Sequence, residues 1–180
     1  MLLRRSESLL LVVDIQSRLA PAIANADEVV ANAARLLQGS ERLTVPAWVS
    51  EQYVQGLGAT VDALQPHLGA AWRFEKIHFS CLKEDGLHGR LLATGRRQIV
   101  VCGTETHVCV LQTVLDLLAL GFSVFVVADA VGSRIPASRE VGIARMRTAG
   151  AAIVTTEMVL FEWLERAGTD DFRAVLPLIK

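Results

Sequence analysis

The chain has 180 residues, enough for one domain and too few for two; a domain of that size buries roughly 70% of its unfolded surface without disulfide staples. Lysine and arginine total 18 against 19 aspartate and glutamate, a formal net charge of −1, which removes the electrostatic case for nucleic acid or an anionic membrane as partner. Hydrophobic residues make up 52% of the sequence, with a mean hydropathy of +0.38, so strands buried on both faces and an apolar contact between subunits are both expected.

Arg4 and Arg5 precede the apolar run 9–13 in the manner of a signal peptide, but the run is short, stops at Asp14 and has no small-residue cleavage pattern. It reads as a first buried strand. No segment approaches the roughly 18–20 apolar residues of a membrane span. Three cysteines, none in a C-x-x-C pair, fit reduced thiols in a cytoplasmic protein. A helix follows over 26–42, with Asn25 placed to cap it and Asp27 and Glu28 in its first turn. Residues 45–50 form a second strand, 51–60 a glycine-bearing loop, 76–80 a short third strand opened by Lys76, and 87–93 a short helix.

The second half alternates more sharply. The β-branched run 98–102 is a strand ending at Gly103. From Thr106 to Leu120 the residues Leu111, Val114, Leu115 and Leu118 fall at helical spacing, and Gly121 stops the helix. A strand over 122–128 ends at Asp129, a helix over 138–148 is closed by Gly150, a last strand takes 151–155, and helices take 157–164 and 171–176. The alternation predicts a single α/β domain over 1–180, a three-layer, doubly wound open sheet of about six mostly parallel strands with helices on both faces. In such a sheet the active site lies at the carboxyl ends of the strands.

Polar groups stand at those ends. Asp14 interrupts an apolar strand, Lys76 opens the short third strand, and Cys109 lies in the first turn of the helix after 98–102. Backbone N–H groups in a first turn lack intrahelical partners and the helix dipole favours negative charge there. A thiol in that setting is expected to have a lowered pKa, more so beside an ammonium group, and the free N–H groups could receive an oxyanion. Each residue also has an ordinary reading: a capping aspartate, a solvated lysine, a core cysteine. Cys81 and Cys102 are read as core.

The segments LVVDIQ (11–16), KIHFS (76–80) and GTETHVCVLQT (103–113) resemble, in order, the three signature segments of the isochorismatase-like cysteine hydrolases. The likeness continues through FSVFVVADAVGSR (122–134) and RMRTAGAAIVTTE (145–157), and SEQYVQGLGAT (50–60) resembles the isochorismatase domain-containing branch and its bacterial relatives. The resemblance implies Cys109 as nucleophile, Asp14 as the base that takes its proton, and Lys76 as the cation beside both. It also implies a cis peptide at Thr104–Glu105, turning the Glu105 N–H toward an oxyanion alongside that of Cys109. The implied reaction is attack of a thiolate on an acyl carbon, loss of ammonia or another leaving group, and hydrolysis of the thioester.

The nicotinamidase branch of that family carries a metal on an Asp-x-His pair after the second strand; here the position reads Glu51-Gln52-Tyr53, and His67, His78, His88 and His107 show no ligand spacing. No metal or other cofactor is expected. His107 stands two residues from Cys109, so the two point apart on a helix and a structural or pocket-rim role is preferred. A cysteine at position 109 favours acyl transfer over the vinyl-ether cleavage of true isochorismatases, which lack it. No G-x-G-x-x-G or P-loop occurs. Gln16, Gln52, Tyr53 and Glu105 are candidate pocket residues and equally candidate loop ties. Arg134, Arg139, Arg145 and Arg147 are read as ion-pair or interface residues, and helix 158–164 as a candidate subunit contact. The expected function is a metal-independent hydrolase of a small amide or related acyl compound, in a homo-oligomer. A catalytically silent binding or scaffold protein, and a thiol-reactive detoxification or redox protein, remain open on the same residues.

Overall fold

A computed structural model describes residues 1–179. The first strand, β1 (Ser8–Val13), is buried along its whole length and occupies the middle of a six-stranded sheet. The others are β2 (Ala47–Gln52), β3 (Trp72–Lys76), β4 (Gln98–Thr104), β5 (Ser123–Gly132) and β6 (Ala152–Val154). The order across the sheet is β3-β2-β1-β4-β5-β6, and every neighbouring pair is parallel. The chain winds outward from β1 through β2 to β3, then crosses back to lay β4 on the other side of β1. That reversal opens a crevice beyond the carboxyl ends of β1 and β4, the place where doubly wound sheets bind ligands.

Successive strand residues point to opposite faces, so the sheet divides two cores. Leu10, Val12, Val49 and Val100 pack against Val29, Ala33, Leu36 and Leu37 of α1 (Ala26–Arg42). Leu160 and Trp163 of α6 (Thr156–Leu164) join the same core, as does Val175 of α7 (Asp170–Val175). Gly39 lets α6 lie close on α1, because a Cβ there would stand 2.3 Å from a Leu160 methyl carbon. On the opposite face Leu9, Leu11, Val13, Ile99 and Val101 pack against α3 (Leu87–Ala93), α4 (Leu111–Ala119) and α5 (Pro136–Thr148). A short α2 (Val54–Leu57) lies in the loop after β2. Among the described residues no helix is long and apolar enough to cross a membrane.

Several expected boundaries move, for local reasons. Lys76 closes β3 rather than opening it. The aromatic rings of Trp48, Trp72 and Phe74 cluster on one face, with centroids 4.7 Å apart for Trp48–Trp72 and 4.9 Å for Trp72–Phe74, which draws 72–76 into register with β2. The N–H groups of Ile77 and His78 then leave the sheet for Glu84 Oε1. Strand β5 runs past Asp129 to Gly132, because its register with β4 shifts from Val101↔Val126 to Gly103↔Val131 and the intervening residues bulge. Asp129 Oδ1 accepts from the Thr156 N–H at 2.8 Å, at the start of α6. Asn25 does not cap α1 with its side chain; its amide donates instead to Val131 O and Glu28 Oε2. The helix expected from Thr106 begins as a π-helical turn over Thr106–Val110 before becoming α4.

Candidate active site

Asp14 follows β1 with φ 50, a left-handed conformation that turns the chain sharply as it leaves the sheet. Its carbonyl accepts from Thr104 Oγ1 at 2.6 Å, tying the end of β1 to the end of β4. Gly103 makes this approach possible. At φ 123 it adopts a backbone that disfavours side chains, and a Cβ would stand 2.0 Å from Val13 O. The peptide between Thr104 and Glu105 is cis.

The Asp14 carboxylate is fully buried and faces a fully buried ammonium, Lys76 Nζ, 2.7 Å from Oδ2. Oδ1 accepts from Ser50 Oγ at 2.7 Å. Nζ also meets Gln52 Oε1 at 2.6 Å, Phe79 O at 3.1 Å and His78 O at 3.3 Å. Cys109 sits on the π-helical turn, where the Leu111 N–H reaches back to Thr106 O, close enough to Asp14 and Lys76 for their charges to act on its thiol. The extra residue in that turn re-aims the side chains that follow it, a device common at functional sites. Cys109 keeps 7% of its surface exposed while Asp14 has none.

The electrostatics differ from the expectation for a lone thiol at a helix start. Burial and the neighbouring Asp14 carboxylate push the Cys109 thiol up to about 12, against the pull of Lys76. A lowered pKa was expected from the helix terminus; here the thiol rests protonated, because it is desolvated and an anion lies nearer than the dipole can offset. Burial also raises Asp14 above its ordinary 3.8, despite Lys76, Ser50 and Cys109. Burial would lower Lys76, but Asp14, Cys81 and Cys109 together outweigh it and raise the ammonium above 10.5. The cluster therefore holds a thiol, a carboxylate of enhanced basicity and a locked ammonium.

Cys81, read as core, is fully buried yet stands beside the cluster. Its N–H donates to Thr113 Oγ1 at 3.0 Å, and burial followed by the Asp14 charge pushes its thiol up to about 11. Cys102 is buried away from these groups in the core on the α1 face. Ser50 and Thr113 were not singled out by sequence. The signal available for Ser50 was a small polar residue ending an otherwise apolar strand, the same signal that marks Asp14.

The candidate pocket residues separate. Gln16 is fully buried and exchanges hydrogen bonds with the backbone of Gln52, accepting from its N–H at 2.8 Å and donating to its carbonyl at 3.0 Å. Gln52 faces Lys76. Tyr53 is 53% exposed with φ 39, and its N–H donates to Lys76 O. Glu105 directs its carboxylate to Arg134, whose Nε lies 2.7 Å away and whose backbone N–H and Nη2 also donate to it. Burial would raise the Glu105 carboxyl, but these hydrogen bonds hold it below its ordinary value. His107 places Nδ1 3.0 Å from Ser133 Oγ and lines a groove of about 390 Å³ with Leu111, Ala137, Val141 and Arg145. Among the described residues no group of three or more His, Cys, Asp or Glu could hold a metal ion.

Comparison with known proteins extends this picture. Residues 8–158 match the Isochorismatase domain model. Isochorismatase domain-containing protein 1 of Salmo salar is 38% identical over 167 residues, 93% of this chain and 59% of the relative, so the chain spans under two thirds of that protein's length. The structure of MAR1 ribonuclease from Caenorhabditis elegans aligns at TM-score 0.94 with 33% identity, covering 99% of this chain and 92% of that one. YcaC from Pseudomonas aeruginosa, solved with hexane-2,5-diol and covalent acrylamide, aligns at TM-score 0.91 with 27% identity over 98% and 91% of the two chains. An ion-paired aspartate and a cysteine brought together at the β1/β4 crevice thus sit in a chain that belongs to the isochorismatase family.

Proposed function

We propose that the protein is a cysteine hydrolase of small amides or related acyl compounds, with Cys109 as nucleophile, Asp14 as proton carrier and Lys76 as fixed cation. The carrying observation is the sealed Asp14–Lys76 pair with the Cys109 thiol under the influence of both charges. As Cys109 Sγ attacks the carbonyl carbon, its proton passes to Asp14, and the backbone N–H groups of Glu105 and Cys109 receive the oxyanion. The tetrahedral adduct collapses, the C–N bond breaks, and Asp14 returns the proton to the departing amine. Water then attacks the thioester, giving a proton to Asp14; the acid leaves and Cys109 regains its proton. No step requires a metal donor set.

The covalent acrylamide carried by the P. aeruginosa relative supports a soft nucleophile in this fold, since acrylamide is an acceptor for thiols. The C. elegans relative is described as a ribonuclease. For this chain a charge of −1 offers little to a phosphate backbone. Apolar side chains left exposed near the carboxyl edge, including Ile77, Phe79 and Ile135, support assembly into a homo-oligomer. The test is turnover: primary amides and RNA are offered to the protein and to Cys109→Ala. The reading expects release of ammonia from at least one amide, lost in the variant. RNA cleavage that survives Cys109→Ala, with no amide turned over, would overturn it.

A further inference from the structure

Lys76 has three ammonium protons, and three neutral oxygens stand ready for them: Gln52 Oε1 at 2.6 Å, Phe79 O at 3.1 Å and His78 O at 3.3 Å. The contact with Asp14 Oδ2 at 2.7 Å adds an opposite charge beside these three acceptors. Two of the three oxygens are backbone carbonyls, fixed where the chain turns out of β3. The third is a side chain and has to be aimed. Gln52 Nε2 donates to Ile77 O at 2.7 Å, which dictates which end of the amide turns to Lys76. The Gln52 backbone is clamped on both its N–H and its carbonyl by the buried side chain of Gln16.

We infer that Gln52, held by Gln16, is a positioning residue that saturates the Lys76 ammonium, so that Lys76 acts as a stationary cation and donates no hydrogen bond to the substrate. The inference rests on the reading of Cys109 as nucleophile and sharpens it. None of the three oxygens can take a proton, and the charges of Asp14, Cys81 and Cys109 favour the ammonium against burial. With no ammonium proton to spare, the oxyanion is left to the backbone N–H groups. An acceptor that is neutral matters: a carboxylate at position 52 would cancel the cation that the thiolate needs, and an apolar side chain would leave a buried ammonium proton without a partner, disfavouring the charged lysine.

The experiment follows iodoacetamide labelling of each cysteine in the full chain at pH 8, by peptide mass spectrometry, in wild type, Gln52→Glu and the near-isosteric Gln52→Met. Labelling of Cys109 is expected to slow about tenfold in Gln52→Glu, one unit of thiol pKa, and about threefold in Gln52→Met. A purely structural role would loosen the site and speed labelling of Cys109 and the buried Cys81. Variants labelled at the wild-type rate or faster, in a wild type where Cys109 is the preferred thiol, overturn the role of Gln52 and leave the nucleophile standing. A wild type in which Cys109 labels no faster than Cys81 and Cys102 overturns both. Circular dichroism checks folding, and Gln52→Met carries the test if Gln52→Glu does not fold.

Discussion

Two ion pairs stand at the carboxyl edge of the sheet, and they differ in how far solvent reaches them. Asp14–Lys76 has no exposed side-chain surface on either partner, whereas Glu105–Arg134 leaves 59% of the arginine side chain in solvent. In the sealed pair each charge depends on the other, because taking an ion out of water costs several kcal/mol that only a partner and hydrogen bonds offset. In the open pair water competes for the guanidinium, and the contact mainly holds the Glu105 loop over the helix start. In the proposed mechanism, the charge that stays fixed during proton transfer is the one out of reach of solvent, and the charge that fastens a loop is the one left wet.

Breaking the sealed pair carries the largest expected effect. Asp14→Asn removes the proton carrier and is expected to cut amide turnover by about 10²–10⁴, read from the initial rate of ammonia release. Lys76→Met leaves the Asp14 carboxylate buried without its cation and should lower the unfolding free energy by about 3–5 kcal/mol, measured by urea denaturation. Adding Asp14→Asn to it should recover much of the loss. Ser50→Ala removes a hydrogen bond to a buried carboxylate, about 1.5–3 kcal/mol, in the same assay. Arg134→Gln, on the open pair, should barely move the thermal midpoint at neutral pH, and raising the salt concentration should shrink even that difference.

The pairs also separate by pH. Asp14 has to be ionised to accept a proton, so turnover should fall as pH drops through its raised value, above 3.8, and fall again on the alkaline side as Lys76 loses its charge above 10.5. Glu105 is depressed below 4.5 in the fold. Its contribution to stability is present above 4.5 and is lost as pH falls through the folded value. A thermal-midpoint series from pH 6 to 3 should therefore show a steeper acid loss in wild type than in Glu105→Gln.

Much of this edge was legible in the amino-acid sequence. Helix α1 begins and ends at the residues its spacing indicates, Ala26 and Arg42, because seventeen residues of amphipathic pattern leave little freedom. A carboxylate ending an apolar strand marked the place of Asp14. The π-helical turn at Thr106–Val110 was not legible, since Leu111, Val114 and Leu118 keep ordinary helical spacing after it and hide one extra residue. Nor was the protonation of Cys109. A helix start indicates a lowered pKa, but burial and the sign of the nearest charge are set by residues 95 positions apart in the chain (Asp14 and Cys109). Gln52 reads from sequence as a loop residue beside a pocket; only the fold shows which group its amide faces.

The most direct test is the pH dependence of Cys109 alkylation in Asp14→Asn against wild type. Burial and, after it, the Asp14 carboxylate hold the wild-type thiol protonated, at about 12, while Lys76 favours the thiolate. Removing the carboxylate should therefore lower the midpoint by at least about one unit, making the thiol more reactive toward a simple alkylating reagent in a variant that turns over less amide. A midpoint that stays or rises would contradict the placement of Asp14 as the group that holds, accepts and returns the proton of Cys109.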